Sequence, residues 1–263
     1  MKLRIVAGNI FVKTVVNGHA GWMMVDTGCS GTSFDKGFTQ RAGLTTAGYG
    51  QGYDTTTGLG KIPLAVVSLI DIGPIRLKGL QCAVIDYGLL QRTLKMKFIG
   101  ILGAELFQNR LILLDVPRGR LACVKTVPRS FIRNIPIRRF TYDRPVVEVM
   151  VDGMKISALV DTGNAKTPVI VHSQRMAMTL RRRYPAAARI RHSGVTGKKR
   201  TGAAITCPVL FAGRDLPATT VVLKDGGSIP MSGARVQGNI GLPLLRDRQF
   251  ILDYSRRLLH FKP

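Results

Sequence analysis

Two aspartates stand in the same short setting in different parts of the chain: Asp26-Thr27-Gly28 and Asp161-Thr162-Gly163. A lone carboxylate is a weak hydrolytic catalyst near neutral pH. Two carboxyls held close together cannot both ionise easily and share one proton. One of them can then act as base on a water while the other donates to a carbonyl oxygen, and the proton belongs to the pair. The flanking residues fit that use. Gly28 and Gly163 allow a tight turn and close approach of one loop to the other. The hydroxyls of Thr27 and Thr162 can tie the loops together, and Val25 and Val160 can anchor them in the core.

One Asp-Thr-Gly is an ordinary turn sequence. Its weight comes from a repeat that carries both copies in register. Val16-Asn17-Gly18 and Val151-Asp152-Gly153 each read as the bend of a β-hairpin. Eight residues after each glycine comes the aspartate, reached along Trp22-Met23-Met24-Val25 in one copy and Ser157-Ala158-Leu159-Val160 in the other. The copies end alike as well. Gly100-Ile101-Leu102-Gly103 matches Gly238-Asn239-Ile240-Gly241, and twelve residues after the last glycine stand Asp115 and Asp253. These two follow strand-like runs and precede basic turns, so they read as turn-capping or ion-paired residues. Residues 104–109 and 242–247 read as one or two helical turns. The organisation expected is a first half over residues 1–127, a Pro- and Arg-bearing connection over 128–139, and a second half over 140–263.

Short apolar runs punctuated by glycine imply a mostly β chain. With 45% hydrophobic and 21% charged residues it is globular and not disordered. No apolar run reaches the length of a membrane span. The opening Met1–Ile10 is too short and too polar for a signal peptide. Cys29, Cys82, Cys123 and Cys207 have no metal-site spacing, and the four histidines lie far apart, so small buried thiols and no metal are expected.

The residues Val25–Ser30 (VDTGCS), Val160–Ala165 (VDTGNA), Phe98–Phe107 (FIGILGAELF) and Gly238–Leu245 (GNIGLPLL) resemble the pepsin and retropepsin superfamily of aspartic proteases. The closest likeness is to the single-chain bacterial aspartyl protease family with two retropepsin-like repeats. The resemblance implies an all-β, mainly antiparallel, bilobal fold with a pseudo-two-fold axis and a few short helices. It implies endopeptidase activity through a water activated by Asp26 and Asp161, with no metal, no cofactor and no covalent intermediate. It implies catalytic-loop support from Thr27, Gly28, Thr162 and Gly163, and from the crossing segments Ile101–Gly103 and Asn239–Gly241. A hairpin in each half would cover a cleft and hold a peptide in extended form, the candidates being Tyr49–Lys61 and Gly194–Gly202. Ser30, Thr57, Gly58, Gly197 and Lys198 are then the candidate substrate-binding residues. Both half-sites lie in one chain, so a monomer suffices. Bacterial relatives are often exported, which implies a periplasmic or secreted protein if a leader has been removed and a cytoplasmic one otherwise. Two departures stand out: Cys29 after the first triplet, and Lys166 after the second, where a cation near the carboxylates would lower their pKa or obstruct a subsite.

The charge balance is unusual. Thirty-nine Lys and Arg against fifteen Asp and Glu give a net charge of +24, which favours acidic partners. Arg181-Arg182-Arg183, Arg189, Arg191 and Lys198-Lys199-Arg200 place much of it around the second hairpin, beside a candidate amphipathic helix in Arg175–Arg191. A preference for acidic peptides is one reading, and a solvated basic surface is the other. Two further functions stay open: a non-catalytic peptide-binding protein on the same fold, and a basic nucleic-acid-binding protein. Against the last, only 6% of residues are aromatic, which leaves few stacking platforms.

Overall fold

The computed structural model describes residues 1–53, 58–193, 199–224 and 236–263. In the first half come β1 (Leu3–Val6), β2 (Asn9–Val16), β3 (His19–Val25), β4 (Ser33–Asp35), α1 (Lys36–Arg41), β5 (Thr46–Tyr53), β6 (Gly58–Ile72), β7 (Ile75–Ile85), α2 (Gly88–Leu94) and β8 (Gly100–Leu102). Next are β9 (Leu111–Asp115), β10 (Arg120–Val124) and β11 (Arg133–Pro136). The second half has β12 (Arg139–Thr141), β13 (Arg144–Val151), β14 (Met154–Asp161), β15 (Val169–Val171), α3 (Gln174–Arg183), β16 (Ala188–Ser193), β17 (Lys199–Phe211), β18 (Arg214–Lys224) and β19 (Gly238–Gly241), then β20 (Gln249–Asp253) and β21 (Leu258–Phe261).

The repeat is a structural one. One eight-stranded sheet runs β1-β2-β3-β8-β4-β7-β6-β5 and the other β12-β13-β14-β19-β15-β18-β17-β16, position for position the same order. Their odd pairings correspond too: β3–β8, β4–β7, β14–β19 and β15–β18 are parallel, while the hairpin pairs are antiparallel. The fold is all-β, mainly antiparallel and bilobal, as an acid-protease fold requires. The bends at Asn17-Gly18 and Asp152-Gly153 have φ of 44° and 88°, and 48° and 73°, the left-handed values that these residue types tolerate in tight hairpins.

A third sheet, β10-β9-β20-β21-β11, joins the halves. Its centre is the antiparallel pair β9–β20, with Leu113 opposite Ile251 and Asp115 opposite Gln249. Segment Arg133–Pro136, inside the expected connection, is an edge strand of this sheet, paired with β21. One apolar core runs through both halves and this sheet: Val25, Leu114, Val160 and Leu252 all belong to it and are fully buried.

The helices are short. In α1 the carboxylate of Asp35 caps the backbone N–H of Phe38, and in α3 the hydroxyl of Ser173 caps that of Met176. The amphipathic helix expected within Arg175–Arg191 ends at Arg183, and Arg189 and Arg191 stand on β16. The helical turns expected at 104–109 and 242–247 are 3₁₀ turns over Ala104–Leu106 and Leu242–Leu244. The expectation of buried thiols holds for Cys82 and Cys207. It fails for Cys123, which is exposed on β10, and Cys29 is only partly buried.

Candidate active site

Each Asp-Thr-Gly loop leaves the end of a strand at the middle of its sheet. Asp26 follows β3 and Asp161 ends β14, and both strands pair in parallel with the Gly-x-x-Gly segments, β8 and β19. The glycines of those segments are needed for close packing. A Cβ on Gly100 would strike the backbone of Ser33, and one on Gly103 the backbone of Gly31. In the second half a Cβ on Gly238 would meet the carbonyl of Ile170, and one on Gly241 the backbone of Thr167 and Asn164.

The two loops are bound to each other reciprocally. The N–H of Thr27 donates to Thr162 Oγ1 (3.0 Å) and the N–H of Thr162 donates to Thr27 Oγ1 (3.1 Å). Each hydroxyl passes its own proton across the interface, Thr27 Oγ1 to the Val160 carbonyl (2.6 Å) and Thr162 Oγ1 to the Val25 carbonyl (2.9 Å). Both threonines are fully buried, so all four bonds are shielded from water.

This lock brings Asp26 and Asp161 together. A Cβ on Gly28 would lie 2.6 Å from Asp161 Oδ1 and 3.0 Å from Asp26 Oδ1, and a Cβ on Gly163 would collide with both carboxylate oxygens of Asp26. Asp26 Oδ1 accepts from the N–H of Gly28 (2.7 Å) and, across the interface, from that of Gly163 (3.2 Å). Asp161 Oδ1 accepts from the N–H of Asn164 (3.0 Å). Burial, then the neighbouring Asp26 carboxylate, pushes Asp161 up to about 7; hydrogen bonds from Asn164 and Asn239 oppose the rise, and one shared with Asp26 adds to it.

The remaining oxygens are held differently in the two halves. Asp26 Oδ2 accepts from the thiol of Cys29 (3.2 Å), whose own ionisation is pushed far up by burial and then by Asp26. Asp161 Oδ2 accepts from the buried carboxamide of Asn239 (2.7 Å), where the first half has the apolar Ile101. Asn164, the counterpart of Cys29, turns its side chain onto its own loop, with Nδ2 donating to the Thr167 carbonyl and Oδ1 accepting from the Thr167 N–H. A guanidinium completes the surroundings. Arg144, at the start of β13, donates to the Gly28 carbonyl (3.4 Å) and lies 5.8 Å from the ring centre of Tyr142. Burial lowers its pKa, while Cys29, Asp161 and Asp26 favour its charge.

Of the residues expected at the site, Asp26, Thr27, Gly28, Asp161, Thr162 and Gly163 are assembled at one point. Ser30 is exposed two residues beyond Gly28, and Gly58 opens β6 opposite Tyr53. Thr57, Gly197 and Lys198 lie outside the described residues. Lys166 is exposed on the loop after the second triplet, and the cation drawn to the carboxylates is Arg144 instead. Sequence reasoning missed Arg144 and the Asn239 contact. The available signal was the polar Asn239 where the otherwise matching segment has Ile101. Asp115 and Asp253 take turn-capping roles, accepting from the N–H groups of Arg118 and Arg256. Among the described residues no group of His, Cys, Asp and Glu could hold a metal ion, and no helix is long and apolar enough to cross a membrane.

Residues 12–106 match the aspartyl protease family. The matched span runs from β2 through β8 and includes the first Asp-Thr-Gly and the first Gly-x-x-Gly, and it supports an aspartyl-protease, retropepsin-like kinship. Asp161 lies beyond it, in the half that repeats the same strand order. No curated protein matches the chain.

Proposed function

We propose that this chain is an aspartic endopeptidase with Asp26 and Asp161 as its catalytic pair. The observation that carries the reading is the reciprocal threonine lock, which joins two Asp-Thr-Gly loops so closely that neither glycine has room for a Cβ. Two buried carboxyls in that setting share one proton below about pH 7, the value to which Asp161 is raised. One carboxyl takes a proton from a water as it attacks the peptide carbonyl. The other protonates the carbonyl oxygen. The tetrahedral intermediate then collapses: the proton taken from the water goes to the leaving amine, the C–N bond breaks, and a hydroxyl of the intermediate returns its proton to the other carboxylate, which restores the pair. The backbone donors of Gly28, Gly163 and Asn164 keep the carboxylate oxygens oriented through these steps.

The same reading divides the chain into lobes over residues 1–127 and 140–263 with a connection over 128–139, and places it with single-chain proteases of two retropepsin-like repeats. Its support is the identical strand order of the two large sheets. The hairpins β5–β6 and β16–β17 occupy equivalent places in that order and would cover an extended peptide. The test is digestion of a diverse peptide mixture, read by mass spectrometry. Internal cuts should appear with the wild type and vanish with Asp26→Asn and with Asp161→Asn, both variants remaining folded. A folded wild type that makes no cut at any pH would replace this reading with a peptide-binding role.

A further inference from the structure

A strongly cationic concavity lies away from the aspartates. A cavity of about 790 Å³ opens where the central sheet meets the bend between β17 and β18. Arg118, Arg133, Arg214, Arg248 and Lys262 line it, with Asp247 the acidic residue among them. None of these belongs to the Asp-Thr-Gly loops or touches the paired carboxylates.

Arg248 is the unusual member. It is 8% exposed as a residue and yet lines the cavity. Its Cζ lies 4.4 Å from the ring centre of Phe261, a cation–π contact that favours the cation but supplies no counter-charge. Among the described residues no carboxylate pairs with Arg248. Asp247 is taken by Arg214, and Asp115 by Arg118 and Gln249. Burial, then the like charge of Arg214, lowers the pKa of Arg248, with Arg133 adding to the fall and Asp247 opposing it. Arg133 is held close over the bend at Gly213, where any Cβ would overlap its guanidinium. A buried cation is costly unless it is paired, and here further cations converge on it.

We propose that this cavity is a binding site for a small multivalent phosphate, with Arg248 as its buried anchor and Arg133 and Lys262 as its outer contacts. Arg118 is paired with Asp115 and Arg214 with Asp247, and the three cations that remain, Arg133, Arg248 and Lys262, call for a ligand of more than one negative charge. Guanidinium groups match phosphate oxygens in planar, bidentate fashion. The volume lies within the range of small-molecule sites and exceeds the needs of a single inorganic ion. The cavity is walled by β20, β11 and the β17–β18 bend, so occupancy would brace the sheet that both halves share.

Pyrophosphate is the probe, titrated by calorimetry and by thermal shift at fixed ionic strength. The wild type should bind it saturably, with Tm rising with concentration as for any ligand of the native state. Arg133→Glu with Lys262→Glu, both at the cavity mouth, should weaken binding at least tenfold. Arg248→Met should abolish it; if that variant does not fold, the mouth variant decides. Arg182→Glu, an equal type of charge change on α3, should leave binding intact. Equal weakening by Arg182→Glu, or unchanged binding in the mouth variant, would overturn the site in favour of diffuse attraction to a +24 protein. Saturable binding of citrate but not pyrophosphate would overturn the phosphate assignment. None of these readings depends on peptide cleavage.

Discussion

Asp161 keeps its proton to higher pH than an ordinary aspartate because burial and Asp26 both oppose its charge. Its folded-state value is raised, so its contribution to stability is full below the unfolded carboxyl range and is lost as pH climbs through about 7. Asp161→Asn removes that loss. The variant's Tm relative to wild type should therefore be higher at pH 9 than at pH 5, by at least a few degrees, and a difference independent of pH would contradict the assignment. Asn239 limits the rise by donating to Asp161 Oδ2. Leucine at 239 resembles the first half's Ile101 and lacks the donor. Proton loss should then move upward by about one pH unit, read by carboxyl carbon NMR of Asp161. Asp26, Cys29 and Arg144 face the same carboxyl and remain in place in that variant, so an unmoved titration would mean that Asn239 only fills space.

The threonine lock belongs to the scale of elements, because it ties the end of β3 to the end of β14 through four buried bonds. Thr27→Val deletes one hydroxyl and strands the N–H of Thr162 and the carbonyl of Val160. A loss of about 2–4 kcal/mol in denaturant unfolding is expected, since buried polar groups left without partners cost more than the bond itself. Gly163→Ala should lose cleavage at least a hundredfold, because its methyl would occupy the place of the Asp26 carboxylate. Much at this scale was legible in sequence. Asn17-Gly18 and Asp152-Gly153 announced their hairpins, and the paired Gly-x-x-Gly segments marked the matching ends of the two halves. Residues that reach the site from distant strands were not legible. Arg144 sits on a strand with no motif of its own, and only the fold carries it to Gly28. The donor role of Asn239 depends on a side-chain direction that periodicity does not fix. The cavity at Arg248 joins Arg118, Arg133 and the bend at Gly213, which are scattered along the chain.

At the scale of the whole molecule, the shared sheet should make the halves unfold as one unit. Strands β9 and β20 pair along their full length, and the core is continuous through them. Trp22, the one tryptophan of the chain, lies in the first half. Its fluorescence should lose native character at the same denaturant midpoint as the far-ultraviolet signal of all strands. Two separated midpoints would show that the halves unfold independently. The shared sheet also keeps the loops in register, since it fixes the halves about the axis on which Thr27 and Thr162 meet. One proton held between the two halves is then what cleavage depends on. The measurement that reaches it most directly is the pH dependence of peptide cleavage by wild type, Asp26→Asn and Asp161→Asn. Wild-type cleavage should fall as pH rises through about 7, and neither variant should cleave. A variant that still cuts the same bonds, or a wild-type rate that keeps rising above pH 7, would contradict that dependence.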